Sequence, residues 1–168
     1  DKKFVFSGDL GRYSDPMMPD PERVHDADVV LIESTYGNRK HSSTDPQSAL
    51  LSIIERTVSR GGTVIIPAFA VGRAQSLLYH LERIKSAGRL RNVKVYVNSP
   101  MATDASGILC QHMSDQKLSE KACRDACGIA TYIQSVEESK ALNENSVPKV
   151  IISASGMATG GRVLHHLK

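Results

Sequence analysis

Apolar positions in this chain fall into short runs separated by longer amphipathic stretches, the alternation expected of an α/β protein. The runs predict strands at Phe4–Ser7, Val29–Glu33, Thr63–Ala68, Val93–Asn98 and Lys149–Ser153. Between them the spacing predicts helices near Asp45–Ser59, Gly72–Ser86, Ala102–His112 and Ser119–Ile133, with a last one at Gly160–Leu167. Leu50, Leu51, Ile54 and Val58 follow the i, i+3, i+4 rule, so that helix buries one face. Thr44-Asp45-Pro46 supplies a cap followed by proline at the first helical position. Gly61-Gly62 ends the helix and turns the chain into the next strand. Such alternation implies right-handed crossovers and a mostly parallel sheet with helices on both faces. Asp15–Asp20, crowded by Pro16, Pro19 and Pro21, reads as an extended surface loop.

Composition narrows the classes without choosing among them. With 168 residues, 40% of them hydrophobic, the chain can bury one real core. A net charge of +3 permits polyanion binding but lacks the dense basic stripe of a committed nucleic-acid binder. The absence of tryptophan and an aromatic content of 5% argue against a base-stacking surface. Cys110, Cys123 and Cys127 are an odd count without a C-x-x-C pair, which favours reduced thiols over a disulfide or a thiolate metal site. Cys123 and Cys127 stand at i, i+4 and would share a helix face. No apolar run is long enough for a membrane span and no charged-then-apolar leader opens the chain. The expectation is a soluble cytoplasmic protein with no membrane partner.

Two strand ends carry the chemistry. Phe4-Val5-Phe6-Ser7-Gly8-Asp9-Leu10-Gly11 ends a strand in a Gly-flanked turn that presents Asp9, an arrangement that lets backbone approach an ion. Asp9 alone is no zinc site, since a catalytic zinc takes three protein ligands plus water. The six histidines contain no H-x-H or H-x-x-x-H pair to complete it. Val29-Val30-Leu31-Ile32-Glu33-Ser34-Thr35-Tyr36-Gly37 is a second apolar strand, expected to be buried, ending in a carboxylate and a turn.

With these two segments, and then Pro67-Ala68-Phe69-Ala70-Val71-Gly72-Arg73-Ala74-Gln75, Asn98-Ser99-Pro100-Met101-Ala102 and Ser153-Ala154-Ser155-Gly156-Met157, the chain resembles the β-CASP branch of the metallo-β-lactamase superfamily. That branch holds RNA-processing nucleases such as ribonuclease J and the pre-mRNA 3′-end cleavage endonuclease. The resemblance covers nearly the whole chain in order. It implies the end of a metallo-β-lactamase domain over 1–39 and a β-CASP domain, a Rossmann-like cap, over 40–168, joined through the polar Asn38–Thr44 segment. The family's H-x-H-x-D-H cluster and its later S-A-H-x-D segment have no counterpart here, so the sequence reads as an interior piece of a larger enzyme.

The resemblance also assigns roles. Asp9 would be the carboxylate bridging two zinc ions in the intact enzyme, and Glu33 a catalytic residue supporting a histidine beyond this chain. Ser153, Ser155, Gly156, Gly160, Gly161 and Arg162 form a loop of small residues leading into a helix, a candidate cradle for an RNA backbone. Arg73, at the start of the helix after Gly72, is a second candidate for phosphate. Each has a plainer alternative: a solvated turn for Asp9, a cap on Ser34 or Thr35 for Glu33, packing turns for the two loops. The function implied is zinc-dependent hydrolysis of RNA phosphodiesters, with this piece alone inactive and prone to self-associate through an uncovered sheet edge. The alternative is a non-catalytic α/β domain that binds RNA or a nucleotide.

Overall fold

The computed structural model describes residues 1–90 and 92–167. The chain divides into two compact units, one of Asp1–Ser43 with Ser114–Lys117, the other of Thr44–Met113 with the stretch from Leu118 onward.

In the first unit β1 (Phe4–Phe6) and β2 (Val29–Leu31) pair in parallel, Phe4 opposite Val29 and Phe6 opposite Leu31. The burial expected of the second strand is not found: Val29–Leu31 is exposed throughout, and Phe6 is 70% exposed. Among the described residues the unit holds these two strands and no α-helix to cover the ribbon. The proline-rich loop is more ordered than an extended surface segment. Asp15 Oδ1 accepts the N–H groups of Met17 and Met18 at 2.8 and 2.9 Å, and Met17 is buried. Lys117 then pins the loop, donating to Asp20 Oδ1 at 2.7 Å and to the Asp15 carbonyl at 3.2 Å.

The second unit is a doubly covered parallel sheet. Its elements run α1 (Pro46–Val58), β3 (Val64–Pro67), α2 (Arg73–Ser86), β4 (Lys94–Asn98), α3 (Pro100–Gln111), α4 (Glu120–Gly128), β5 (Ala130–Tyr132), α5 (Val136–Glu144), β6 (Lys149–Ser153) and α6 (Val163–His166). The strand order is β3-β6-β4-β5, with every pair parallel. The chain moves from β3 to β4 to β5 in one direction and then returns to β6. Right-handed crossovers therefore carry α2, α3 and α4 over one face and α5 over the other. Alternation along the strands matches this. Val95, Val97, Val150 and Ile152 pack with Leu51, Ile54, Leu78 and Leu81, while Tyr96 and Ile151 pack with Ile133 and Leu142. Burying Leu78, Leu81 and Ile84 of α2 contributes about 1.5–3 kcal/mol each.

Local signals set most helix ends. Asp45 caps α1 by accepting the Ser48 N–H at 2.9 Å, and Pro46 follows it. α3 begins at Pro100, two residues before the expected Ala102, because Ser99 caps it through the Ala102 N–H. The helix expected over Ser119–Ile133 is shorter. It ends at Gly128, and Ala130–Tyr132 becomes β5, pairing Val95 with Ala130 and Val97 with Tyr132. α5 follows a capping box in which Ser135 Oγ accepts the Glu138 N–H and Glu138 accepts the Ser135 N–H. The helix expected over Gly160–Leu167 is one turn, Val163–His166.

Candidate functional site

Ser7 knits together the two strand ends of the first unit. Its backbone N–H donates to the Leu31 carbonyl, and its Oγ accepts the Glu33 N–H, both at 2.9 Å. Ser7 Oγ in turn donates to the Gly8 carbonyl at 2.7 Å. Gly8 sits at φ +54°, a conformation open to glycine, and turns the chain so that Asp9 stands exposed at the tip. The serine was legible only as a member of the S-G-D motif; its bond to the second strand end belongs to the tertiary structure. Glu33 is half-buried, and its Oε2 accepts the Thr35 N–H at 2.9 Å. Hydrogen bonds from the Thr35 backbone and side chain, and from the Leu10 backbone, hold this carboxyl below the usual range. It is therefore ionised at neutral pH.

Asp9 and Glu33 thus stand on neighbouring strand ends in one unit. Among the described residues the only group of three or more convergent His, Cys, Asp or Glu side chains is Cys110, Cys123 and Cys127. Asp9 fits the part of one oxygen ligand to a metal and no more; a zinc pair would need donors that these residues do not bring to it.

In the second unit the remaining candidates lie at the carboxyl ends of the parallel strands. This is the rim where ligands bind in open α/β sheets, beside the point at which the strand order reverses. Residues 68–72 follow β3, Ser99 follows β4, Ile133 and Gln134 follow β5, and 154–162 follow β6. Phe69, Val71, Met101 and Met157 are exposed around this rim. Arg73 is exposed too, but the amides at the start of α2 are already engaged. Arg73 N–H donates to Val71 O at 3.0 Å and Ala74 N–H to Phe69 O at 3.2 Å. The backbone there makes a packing turn, leaving the guanidinium as the group available to an anion.

The loop after β6 is held chiefly by its own backbone. Ser153 is 1% exposed, and its Oγ donates to the Asn98 carbonyl at 3.3 Å, so it joins β6 to β4 rather than facing outward. Ser155 is half-buried and its Oγ accepts the Met157 N–H at 3.3 Å. Gly156 lies against the β3 loop so closely that a Cβ would stand 2.9 Å from Phe69 N. Gly161, at φ +77°, would place a Cβ 2.8 Å from the Ala154 carbonyl oxygen. At Gly160 a Cβ would meet nothing within 4 Å, and the Gly160 carbonyl accepts the Ser155 N–H.

Arg162 is the organiser of this rim. Its guanidinium donates to Asn98 Oδ1 at 3.0 Å, to Ile133 O at 3.2 Å and to Gln134 O at 2.7 Å. Three of its five N–H groups are thereby committed to protein. Asn98, which is completely buried, passes the network on through its Nδ2 to Ser139 Oγ at 2.7 Å and His166 Nε2 at 2.6 Å. His166 Nδ1 lies 2.6 Å from Asn143 Oδ1, so the ring is neutral, with its proton on Nδ1. Burial, then the charges of His165 and Lys149, hold its pKa below the usual histidine value, consistent with that tautomer. Asn98 was not singled out as a hub in the sequence; it becomes one only when distant loops meet. Towards the strand starts, a cleft of about 340 Å³ is lined by Thr63, Asn143, Lys149, His165 and His166 among others.

Comparison with known proteins places this architecture. A ribonuclease of Thermus thermophilus is 39% identical over 99% of this chain and 40% of its own. An RNase J-like protein of Methanocaldococcus jannaschii is 31% identical over 99% of this chain and 40% of its own. A transcription termination factor of a Lokiarchaeum species is 32% identical over the whole of this chain and 28% of its own. The chain thus spans 40% or less of these relatives. No helix among the described residues is long and apolar enough to cross a membrane. Residues 74–168 match the Beta-Casp domain. That match takes in β4, β5, β6 and the Asn98–Arg162 network that shapes the rim, and with it the chain belongs to the β-CASP family.

Proposed function

We propose that this chain is the RNA-holding part, with one metal-ligand turn, of a cytoplasmic zinc-dependent ribonuclease. The observation that carries the reading is the pairing of Asp9 and Glu33 on adjacent strand ends through Ser7, in a chain whose residues 74–168 match the Beta-Casp domain. Asp9 is the outward carboxylate that would bridge two zinc ions. Zinc there would supply charge neutralisation for phosphodiester hydrolysis. Glu33, ionised and steadied by Thr35, is suited to accept the N–H of a histidine and so fix its tautomer. The rim formed by the loops after β3, β4 and β6 would hold the RNA backbone, using Arg73 and the guanidinium N–H groups of Arg162 that no protein acceptor takes. Metal chemistry needs further donors, so the 168-residue chain alone would be inactive. Its outer strands β3 and β5 offer edges through which copies of the isolated chain would pair.

The test separates the two carboxylates in the full-length enzyme. Asp9→Ala should lose both bound zinc and RNA cleavage. Glu33→Ala should retain zinc and lose roughly 10–100-fold in cleavage rate, the scale of a lost supporting hydrogen bond. If Glu33→Ala empties the metal site as completely as Asp9→Ala, the division of roles is wrong. If neither change affects RNA cleavage, the nuclease reading fails.

A further inference from the structure

Away from the rim, two helices bring three sulfurs to one point. Cys110 lies in the last turn of α3, and Cys123 and Cys127 lie one turn apart on the facing side of α4. Cys110 Sγ is 2.7 Å from Cys123 Sγ and 3.3 Å from Cys127 Sγ, and all three lie within 4.8 Å of one another. We propose that Cys110, Cys123 and Cys127 form a three-thiolate site for a thiophilic cation, divalent zinc or monovalent copper, that clamps α3 to α4.

Convergence is what marks this cluster: three sulfurs from two helices meet at one point, close enough to exchange thiol hydrogen bonds, and each can offer a ligand atom to one ion. Sulfurs sharing a tetrahedral zinc at about 2.3 Å stand about 3.8 Å apart. Both Cys110 spacings lie inside that value and the third pair within 4.8 Å, so the sulfurs would move apart by about 0.5–1 Å to share an ion, a shift within reach of side-chain torsions. A disulfide would use two of the sulfurs and leave the third beside it, whereas a cation uses all three. Soft thiolate donors select zinc and monovalent copper over hard cations.

The surroundings fit a bound cation. Burial raises the Cys110 and Cys127 thiols above their usual pKa, so thiolates are disfavoured there until a positive ion balances them. On binding, each thiol would release its proton to solvent. Cys123 is buried, whereas Cys110 and Cys127 are partly exposed, which leaves an entry path and a fourth position for water. Hydrogen bonds from neighbouring elements brace the frame. Tyr132 Oη donates to the Cys127 carbonyl at 2.9 Å, and the Ser106 carbonyl lies 3.8 Å from Cys127 Sγ. Gln75 Nε2, from α2, donates to Ser106 Oγ at 3.0 Å and to the Ala102 carbonyl at 3.3 Å. A cation here would therefore stiffen the helical layer that backs β4 and β5.

The test is an anaerobic titration of the reduced, metal-free 168-residue chain with cadmium, as the spectroscopic probe for zinc, and separately with monovalent copper. The expected result with cadmium is a thiolate-to-metal charge-transfer band that saturates at one ion per chain. Thiol labelling should be suppressed at all three cysteines and restored by a chelator. Copper should suppress labelling with the same stoichiometry. Because Cys123 is buried and its replacement can unfold the chain, the variants are Cys110→Ser and Cys127→Ser, with far-UV circular dichroism confirming the fold. Each should weaken binding by roughly tenfold or more. A band that fails to saturate at one ion, or that survives in both variants, overturns the proposal. So does a chain that forms a Cys110–Cys123 disulfide in air and, once re-reduced, takes up neither ion. The signal comes from sulfur, so it does not depend on the role of Asp9.

Discussion

Gly161→Ala should destabilise the second unit strongly, while Gly160→Ala, one residue away, should not. Gly161 sits at φ +77°, where a side chain costs about 1–2 kcal/mol. A Cβ there would also stand 2.8 Å from the Ala154 carbonyl oxygen and 3.0 Å from Ser155 N. Those atoms have little room to retreat. The Ala154 carbonyl accepts the Val163 N–H at 2.8 Å, and the Ser155 N–H donates to Gly160 O at 3.3 Å. Forcing such a contact costs a further amount of about 1–3 kcal/mol. Gly161→Ala should therefore cost about 2–5 kcal/mol, which for a chain of this size lowers Tm by roughly 4–20 °C. At Gly160 a Cβ meets nothing within 4 Å, so alanine there should shift stability by less than about 1 kcal/mol, in the stabilising direction. Urea unfolding followed by far-UV circular dichroism, with the denaturant slope unchanged, measures both. Equal midpoints for the two variants, or a larger loss at Gly160, would refute the account of the loop as fixed by its own backbone.

Three further outcomes follow from buried polar groups and caps. His166 has a folded pKa below the ordinary 6.5, so its contribution is complete above that pH and is lost as pH falls through 6.5 towards the folded value. The unit should lose stability on mild acidification, and an Asn replacement of His166 should flatten that part of the profile measured by thermal unfolding. Gln75→Leu leaves the Ala70 carbonyl without its amide donor and removes the link to Ser106 Oγ; equilibrium unfolding should show a loss of about 1–3 kcal/mol. Ser135→Ala removes the acceptor for the Glu138 N–H and should cost about 1 kcal/mol, with helix content otherwise retained.

The elements that were legible in the chain are those whose signals are local. Asp45-Pro46 and the apolar stripe through Leu51 and Ile54 specify α1 without reference to anything distant, and β6 matches its expected bounds of Lys149–Ser153. The start of α3 at Ser99-Pro100 and the Ser135–Glu138 box before α5 were equally local and available to reading. β5 was not, since Ala-Thr-Tyr after Gly128 becomes a strand only because β4 offers it a partner. For the site, motif order alone marked Asp9, Glu33 and the loop after β6. What those residues do was decided by tertiary contact. Ser7 bonding across to Glu33, Arg162 closing on Asn98 and Gln134, and Ser153 turning inward all depend on chain segments far apart in sequence. The same holds for Cys110: helical spacing pairs Cys123 with Cys127, but only the packing of α3 on α4 adds the third sulfur. Sequence periodicity sets which face of an element is apolar, because that depends on neighbours within a turn. Which side chains meet at one point depends on how those faces stack, and that is a property of the folded whole.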